Sequence, residues 1–246
     1  MQPVLRWLGL VVLALLALQL FFVGRIATMA VLAPESTAFQ RSEAWEQLAS
    51  TGSVLWRQQW VPYAQISDHL KRAVVAAEDD GFVHHDGVDW TAMEKAWERN
   101  AQAEARAARQ QAGSASSARP VKPAKIRGGS TITQQLAKNL LLSGERTLLR
   151  KGQEFVLALL LEQFLSKQRI LEIYLNSVEW GKGVFGAEAA AQHYFGKSAA
   201  QLGAPEAARL AVMLPAPQRF EHLATSAYLA GRTRSIVVRM RSAQLP

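Results

Sequence analysis

None of the 246 residues is cysteine, so a disulfide framework and a thiolate zinc site are both excluded and the redox compartment stays open. No Ser-x-x-Lys occurs, which removes the serine acyl-transfer chemistry of that motif. His84, His85 and His193 lack metal-ligand spacing, so no metal site is read. No stretch sustains strand alternation, which leaves an all-α domain with at most a minor hairpin. Acids are outnumbered, 20 against 28 Lys and Arg, giving a net charge of +8. That balance points to an anionic partner, whether membrane headgroups, a phosphate-bearing substrate or nucleic acid.

What is present begins with an apolar run. From Val4 to Val23 only Arg6 and Gln19 are polar or charged, about the twenty residues needed to cross a hydrocarbon core. Val31-Leu32-Ala33 has the small residues of a cleavage site, but the run is longer than a typical signal core, so residues 1–24 read as an uncleaved anchor. Arg25 nearly balances Arg6. The amino terminus beside Arg6 tips the bulk of the chain to the outside of the cytoplasm. Residues 25–62, broken by Pro34, Gly52 and Pro62, read as a stalk, and 63–246 as one catalytic domain large enough to bury a proper core.

Within that domain Ile66–Ala77 repeats apolar residues at helical spacing behind Ser67, a candidate N-cap. Thr131 with Gln134, and Ser198 with Gln201, form capping-box patterns. The seven apolar residues Phe155–Leu161 predict a helix buried on all sides. Lys167–Asn176 reads as amphipathic, Ala187–Phe195 as a further helix, and Pro205–Leu214 as a helix opened by proline and stopped at Pro215. Residues 101–126 stand apart, rich in Ala, Gln, Ser and Arg with almost no large apolar side chain. From Glu98 to Arg127 there are seven basic residues against two acids, so this segment reads as a basic, mobile insertion.

Two acidic clusters carry the chemistry. Glu78, Asp79 and Asp80 follow an apolar helix at once, where they oppose its dipole. Mutual repulsion and partial burial should raise the Glu78 pKa toward the range of a general base. In the second cluster Glu154 lies four residues after Arg150 and three after Lys151, on one helical face. With Lys138 and Arg146 these cations suit a phosphate or pyrophosphate, assisted by backbone N–H groups after Gly128-Gly129. A solvated acidic turn and a structural ion pair are the plainer readings. Gly181-Lys182-Gly183-Val184-Phe185-Gly186 has dinucleotide spacing, but helix rather than strand precedes it. Gly196-Lys197-Ser198 resembles the end of a phosphate loop, but Ala191 stands where glycine is required.

Four blocks in order resemble the peptidoglycan glycosyltransferases: Glu78-Asp79-x-x-Phe82-x-x-His85-x-Gly87; Gly128 through Gln135 to Lys138-Asn139; Arg150-Lys151-x-x-Glu154; and Ile170 through Asn176 to Tyr194-Phe195-Gly196-Lys197. The chain is similar to the glycosyltransferase module of bifunctional penicillin-binding proteins, and its anchor and missing transpeptidase domain fit the monofunctional branch. The resemblance implies a lysozyme-like helical fold behind a transmembrane helix, with a membrane-facing jaw around Leu140-Leu141-Leu142. It implies polymerisation of lipid II into glycan strands at the bacterial inner membrane, on the periplasmic side, with inversion at the donor carbon. Glu78 would deprotonate the acceptor 4-hydroxyl, and Glu154 would orient the donor or assist departure of undecaprenyl pyrophosphate. Lys138, Arg146, Arg150 and Lys151 match phosphate-binding positions. Ser130, Thr131, Gln135 and Asn139 match cleft residues, with Asp79 and Phe82 placed at the substrate beside Glu78.

No cofactor is implied as required, although some relatives use a divalent cation such as Mg at the pyrophosphate. The implied partners are lipid II, the lipid-linked glycan, the bilayer, and other cell-wall synthesis or division proteins, without nucleic acid. His85, Glu172, Tyr174 and Asn176 read as scaffold. Arg127 stands where Gln is common, Trp180 replaces Phe, and the segment before Gly128 is long. Two rival readings share some of these features: a membrane-bound lytic glycosidase, and a non-enzymatic scaffold of the division machinery.

Overall fold

The computed structural model describes residues 2–113, 129–142, 147–223 and 226–246. Helix α1 (Gln2–Thr28) is long and apolar enough to cross a membrane. Its inner end is not a free stalk: Phe22, Ile26 and Met29 are buried in the domain core. Helix α2 (Ala38–Thr51) follows, opened by a capping box of Thr37 and Gln40. The Gln40 amide also donates to Ser177 O at 3.1 Å, which fastens this segment to the domain. Strand β1 (Arg57–Gln58) then joins a small sheet.

Helix α3 (Asp68–Glu78) begins as the sequence predicts, with the Ser67 hydroxyl accepting from His69 N, and runs one residue further to include Glu78. Helix α4 (Trp90–Gly113) starts where Asp89 accepts from Ala92 N at 2.7 Å and continues through half of the segment read as an insertion. Residues 114–126 lie outside the described residues. Helix α5 (Ile132–Leu141) carries the expected Thr131–Gln134 capping box.

Helix α6 (Leu148–Phe164) corrects one expectation. Leu157, Ala158 and Leu161 are fully buried, but Val156 and Leu159 are each 42% exposed and Leu149 is 88% exposed. Seven consecutive apolar residues necessarily wrap every face of a helix at 3.6 residues per turn, and the protein covers only one side. Helix α1 packs on α6, and Gln19 exchanges two amide hydrogen bonds with Gln153, each 3.3 Å. The polar residue inside the apolar run thus finds its partner in another helix.

Helix α7 (Lys167–Ser177) is amphipathic only in its first turns, because Ile170–Leu171 and Ile173–Ser177 are buried. Strands β2 (Glu179–Gly181) and β3 (Val184–Phe185) form the minor hairpin, and β1 adds to β3 in parallel, Arg57 opposite Val184. Trp180 is fully buried and its indole N–H donates to Leu210 O, so the larger ring is accommodated. Helices α8 (Ala187–Phe195), α9 (Ala204–Met213), α10 (Pro217–Glu221) and α11 (Ala227–Arg239) complete the chain. Ser198 and Gln201 cap a single 3-10 turn. Helix α9 packs against both α3 and α11, while α5 packs against α6 and α7. Helices α3 and α6, which carry the first and second acidic clusters, both contribute to one hydrophobic core.

Asn176 locks α7 to the approach to α3: it donates to Val61 O and accepts from Val61 N at 2.9 Å. Gly186 sits against it with φ of 84°, and a Cβ there would lie 2.7 Å from Asn176 O. A positive φ with extended ψ is open to glycine alone, so Gly186→Ala adds backbone strain to a clash with main chain. The expected cost is about 3 kcal/mol, read as a Tm lower by roughly 6–12 °C in a circular dichroism melt.

Candidate active site

Glu78 closes α3 at the mouth of a cleft of about 320 Å³, lined also by Gly81, Ser130, Thr131, Arg99 and Arg239. The Gln135 amide donates to Glu78 Oε2 at 2.9 Å, and the Tyr174 hydroxyl donates to Gln135 Oε1 at 2.9 Å. Because the amide oxygen is engaged by the phenol, the amide N–H₂ must face the carboxylate. Burial raises the Glu78 pKa, and the neighbouring Asp79 raises it further; Gln135 and Arg232 pull the other way without cancelling the shift. Burial of Tyr174 holds its phenol protonated, well above the ordinary range, with Glu78 and Asp79 adding to the effect. The phenol is therefore a fixed donor at the head of a two-bond relay into Glu78.

Asp79 lines the cleft beside Glu78 and also acts as a brace. It is buried, with one carboxylate oxygen 2.9 Å from His85 Nε2 and the other accepting from Ile132 N at 3.0 Å. The first turn of α5 is accordingly occupied by the protein itself. Asp79 takes the Ile132 N–H, and the Thr131–Gln134 box takes two more, so these donors are not free for a phosphate. Phe82 is fully buried and does not line this cleft, with the Lys167 ammonium 4.6 Å from its ring centroid. Its place in the motif is explained by packing under the Glu78 loop.

Ser130 and Thr131 line the cleft, and the Thr131 hydroxyl donates to Gly87 O at 2.6 Å, tying the α5 entrance to the loop after Glu78. Gly129 lets α4 approach, since a Cβ there would come 3.1 Å from Met93 Cα. Lys138 and Asn139 lie three and four residues beyond Gln135 on α5, on the same helical face, with Lys138 exposed. Arg146, like Arg127 and Gly128, lies outside the described residues.

Glu154 does not line the cleft around Glu78. It is buried to 3% exposure on α6, where Arg150 Nη1 donates to it at 3.1 Å and Lys151 Nζ binds its other oxygen. The i−4 and i−3 spacing thus forms the face the sequence predicts. Arg150 Nε is buried without a hydrogen-bond partner among the described residues. Among the described residues no group of three or more His, Asp or Glu side chains is placed to hold a metal ion.

Sequence reasoning missed three cations near Glu78. Arg99 reaches the cleft from α4, Arg239 from α11, where it sits 3.7 Å from Asp80, and Arg232 acts on Glu78 through charge. Arg232 and Arg239 lie seven residues apart on one face of α11, and nothing in the sequence says that this face meets α3. The Tyr174–Gln135 link was equally invisible, although both residues stood in the motifs.

The transglycosylase family model matches residues 45–241. The chain is 49% identical to a biosynthetic peptidoglycan transglycosylase of Janthinobacterium sp. (strain Marseille), covering 100% of this chain and 99% of that one. It is 46% identical to the protein of that name from Paraburkholderia xenovorans, covering 98% and 94%, and 49% identical to the one from Bordetella pertussis, covering 93% and 88%. A match of this extent sets aside a non-enzymatic scaffold. With its helical core, its apolar N-terminal helix and its four sequence blocks in place, the chain belongs to the transglycosylase family and is a glycosyltransferase.

Proposed function

We propose that the enzyme polymerises lipid II, with Glu78 as the base that activates the acceptor. The observation that carries this reading is a carboxylate at the mouth of a cleft, held by one amide and raised in pKa by burial. Such a group takes a proton near neutral pH more readily than a solvated glutamate. Glu78 removes the proton of the acceptor 4-hydroxyl, the oxygen forms a bond to the donor anomeric carbon, and the bond from that carbon to the pyrophosphate oxygen breaks. Undecaprenyl pyrophosphate leaves with the electron pair and the carbon inverts. Lys138, Arg146, Arg150 and Lys151 would hold the pyrophosphate. Ser130, Gln135 and Asn139 would line the sugar path along α5.

The peptidoglycan substrate is supported by the shared name of the relatives. A membrane setting is supported by α1 and by the exposed Leu149, Val156 and Leu159 on the helix that α1 touches; the periplasmic side is our reading of the basic amino-terminal end at Arg6. Incubation of the full chain with labelled lipid II tests the reaction: polymer is expected, while cleavage of preformed glycan without polymer would favour the lytic reading. Lytic chemistry has little use for cations around a pyrophosphate.

Tyr174 is a positioning residue in this scheme. Tyr174→Phe frees the Gln135 amide to turn, so kcat should fall about 10-fold with little change in KM. Loss of the Gln135 hydrogen bond also removes an influence that lowers the Glu78 pKa, so the acid limb of the pH profile moves to higher pH. A merely structural role would leave that limb in place.

A further inference from the structure

We propose that the cavity between the end of α1 and the start of α2 binds the phosphate of an anionic phospholipid headgroup through Arg25 and Arg41. The cavity, about 380 Å³, is lined by both guanidinium-bearing residues together with Thr28, Leu32 and Ser36. Among the described residues neither arginine is paired with a carboxylate within salt-bridge distance, and Glu35, which also lines the cavity, pairs with neither. Two like charges turned toward one space repel unless an anion joins them, and guanidinium forks match phosphate oxygens.

The location selects the anion. Arg25 stands in the last turn of the apolar helix, at the depth where headgroup phosphates meet a spanning segment. Val31 and Leu32 follow it as exposed apolar side chains, suited to the glycerol and upper acyl region beside such a phosphate. Both walls are fixed to the domain. Arg169 Nε donates to Met29 O at 2.8 Å on one side, and the Thr37–Gln40 capping box with Gln40 on Ser177 O secures the other. Arg41 is itself held at the rim by Nη1 donating to Ser36 O at 3.2 Å and Ser36 Oγ at 3.0 Å. A lipid phosphate there would clamp the catalytic domain to the bilayer in one orientation, whatever reaction the cleft performs.

The test is native mass spectrometry of the full chain released from detergent micelles that contain dioleoylphosphatidylglycerol, dioleoylglycerol or inorganic phosphate. The wild type is expected to retain the phosphatidylglycerol, and Arg25→Gln/Arg41→Gln to retain about 10-fold less. The single Arg41→Gln, at an exposed position, should show a partial loss with an unchanged melt, and Arg234→Gln on α11 no loss. Equal retention by the double variant overturns the proposal. Equal retention of dioleoylglycerol assigns the binding to apolar contact and overturns it too, as does binding of inorganic phosphate with no preference for the lipid.

Discussion

Glu78→Gln is expected to abolish polymer formation, lowering turnover of labelled lipid II by roughly 10³-fold or more while the fold is retained. The substitution keeps the shape and can still accept the Gln135 amide hydrogen, so the loss isolates the proton-accepting function. The same change should raise the melting temperature. An ionised carboxylate that burial disfavours is a cost to the folded state, and the amide carries no charge to desolvate. Loss of activity with gain of stability is the signature of a group held in a poor electrostatic setting for a reaction. Near-normal turnover would remove the base assignment, and a lower melting temperature would show that Glu78 serves the fold instead.

The pH dependence follows with a definite sign. With Glu78 as the proposed base and its folded pKa raised above the ordinary value of 4.5, kcat/KM should fall as pH drops through that raised value. The acid limb therefore lies above the usual glutamate range. Stability moves oppositely: the folded state binds the proton more tightly than the unfolded chain. Glu78's contribution is thus fully present below the unfolded pKa and is lost as pH rises through the folded one. Glu78→Gln should flatten that part of the stability profile. Lipid II turnover and urea melts across the same pH series read both slopes.

Local signals were legible where a residue acts on its own neighbours in sequence. Ser67 and Thr131 announced their caps, Glu154 announced its two cations by spacing, and the alternation-free pattern announced a helical core. The errors and omissions came where a residue's partner is distant in sequence. Asp79 is a cleft acid, but its second role was hidden because Ile132, which it binds, is 53 residues away. Phe82 sat inside a functional motif, and only packing shows that it lies under the loop and not in the cleft. The apolar run of α6 was read as buried because a sequence does not distinguish protein from bilayer as the cover for a helical face. Gln19 and Gln153 are 134 residues apart, and no periodicity could pair them.

Glu154→Gln should show the reverse stability signature, which separates the two acids physically. Here the buried carboxylate already has Arg150 and Lys151 on its two oxygens, the latter side chain 50% exposed and the former 17%. Removing its charge leaves two adjacent cations without their anchor, at a cost of about 1–3 kcal/mol because solvent reaches part of the cluster. For the reaction, the carboxylate fixes where the guanidinium and ammonium point. Under the proposed reaction, the cations without it would still attract pyrophosphate but no longer sit where charge develops as the leaving group departs. Turnover should therefore fall about 10²-fold in kcat, with KM for the lipid-linked donor flat or lower. A lower melting temperature with kcat unchanged would reduce Glu154 to an ion pair of the fold. A raised KM with kcat intact would make the cluster a binding contact that does nothing for departure of the pyrophosphate.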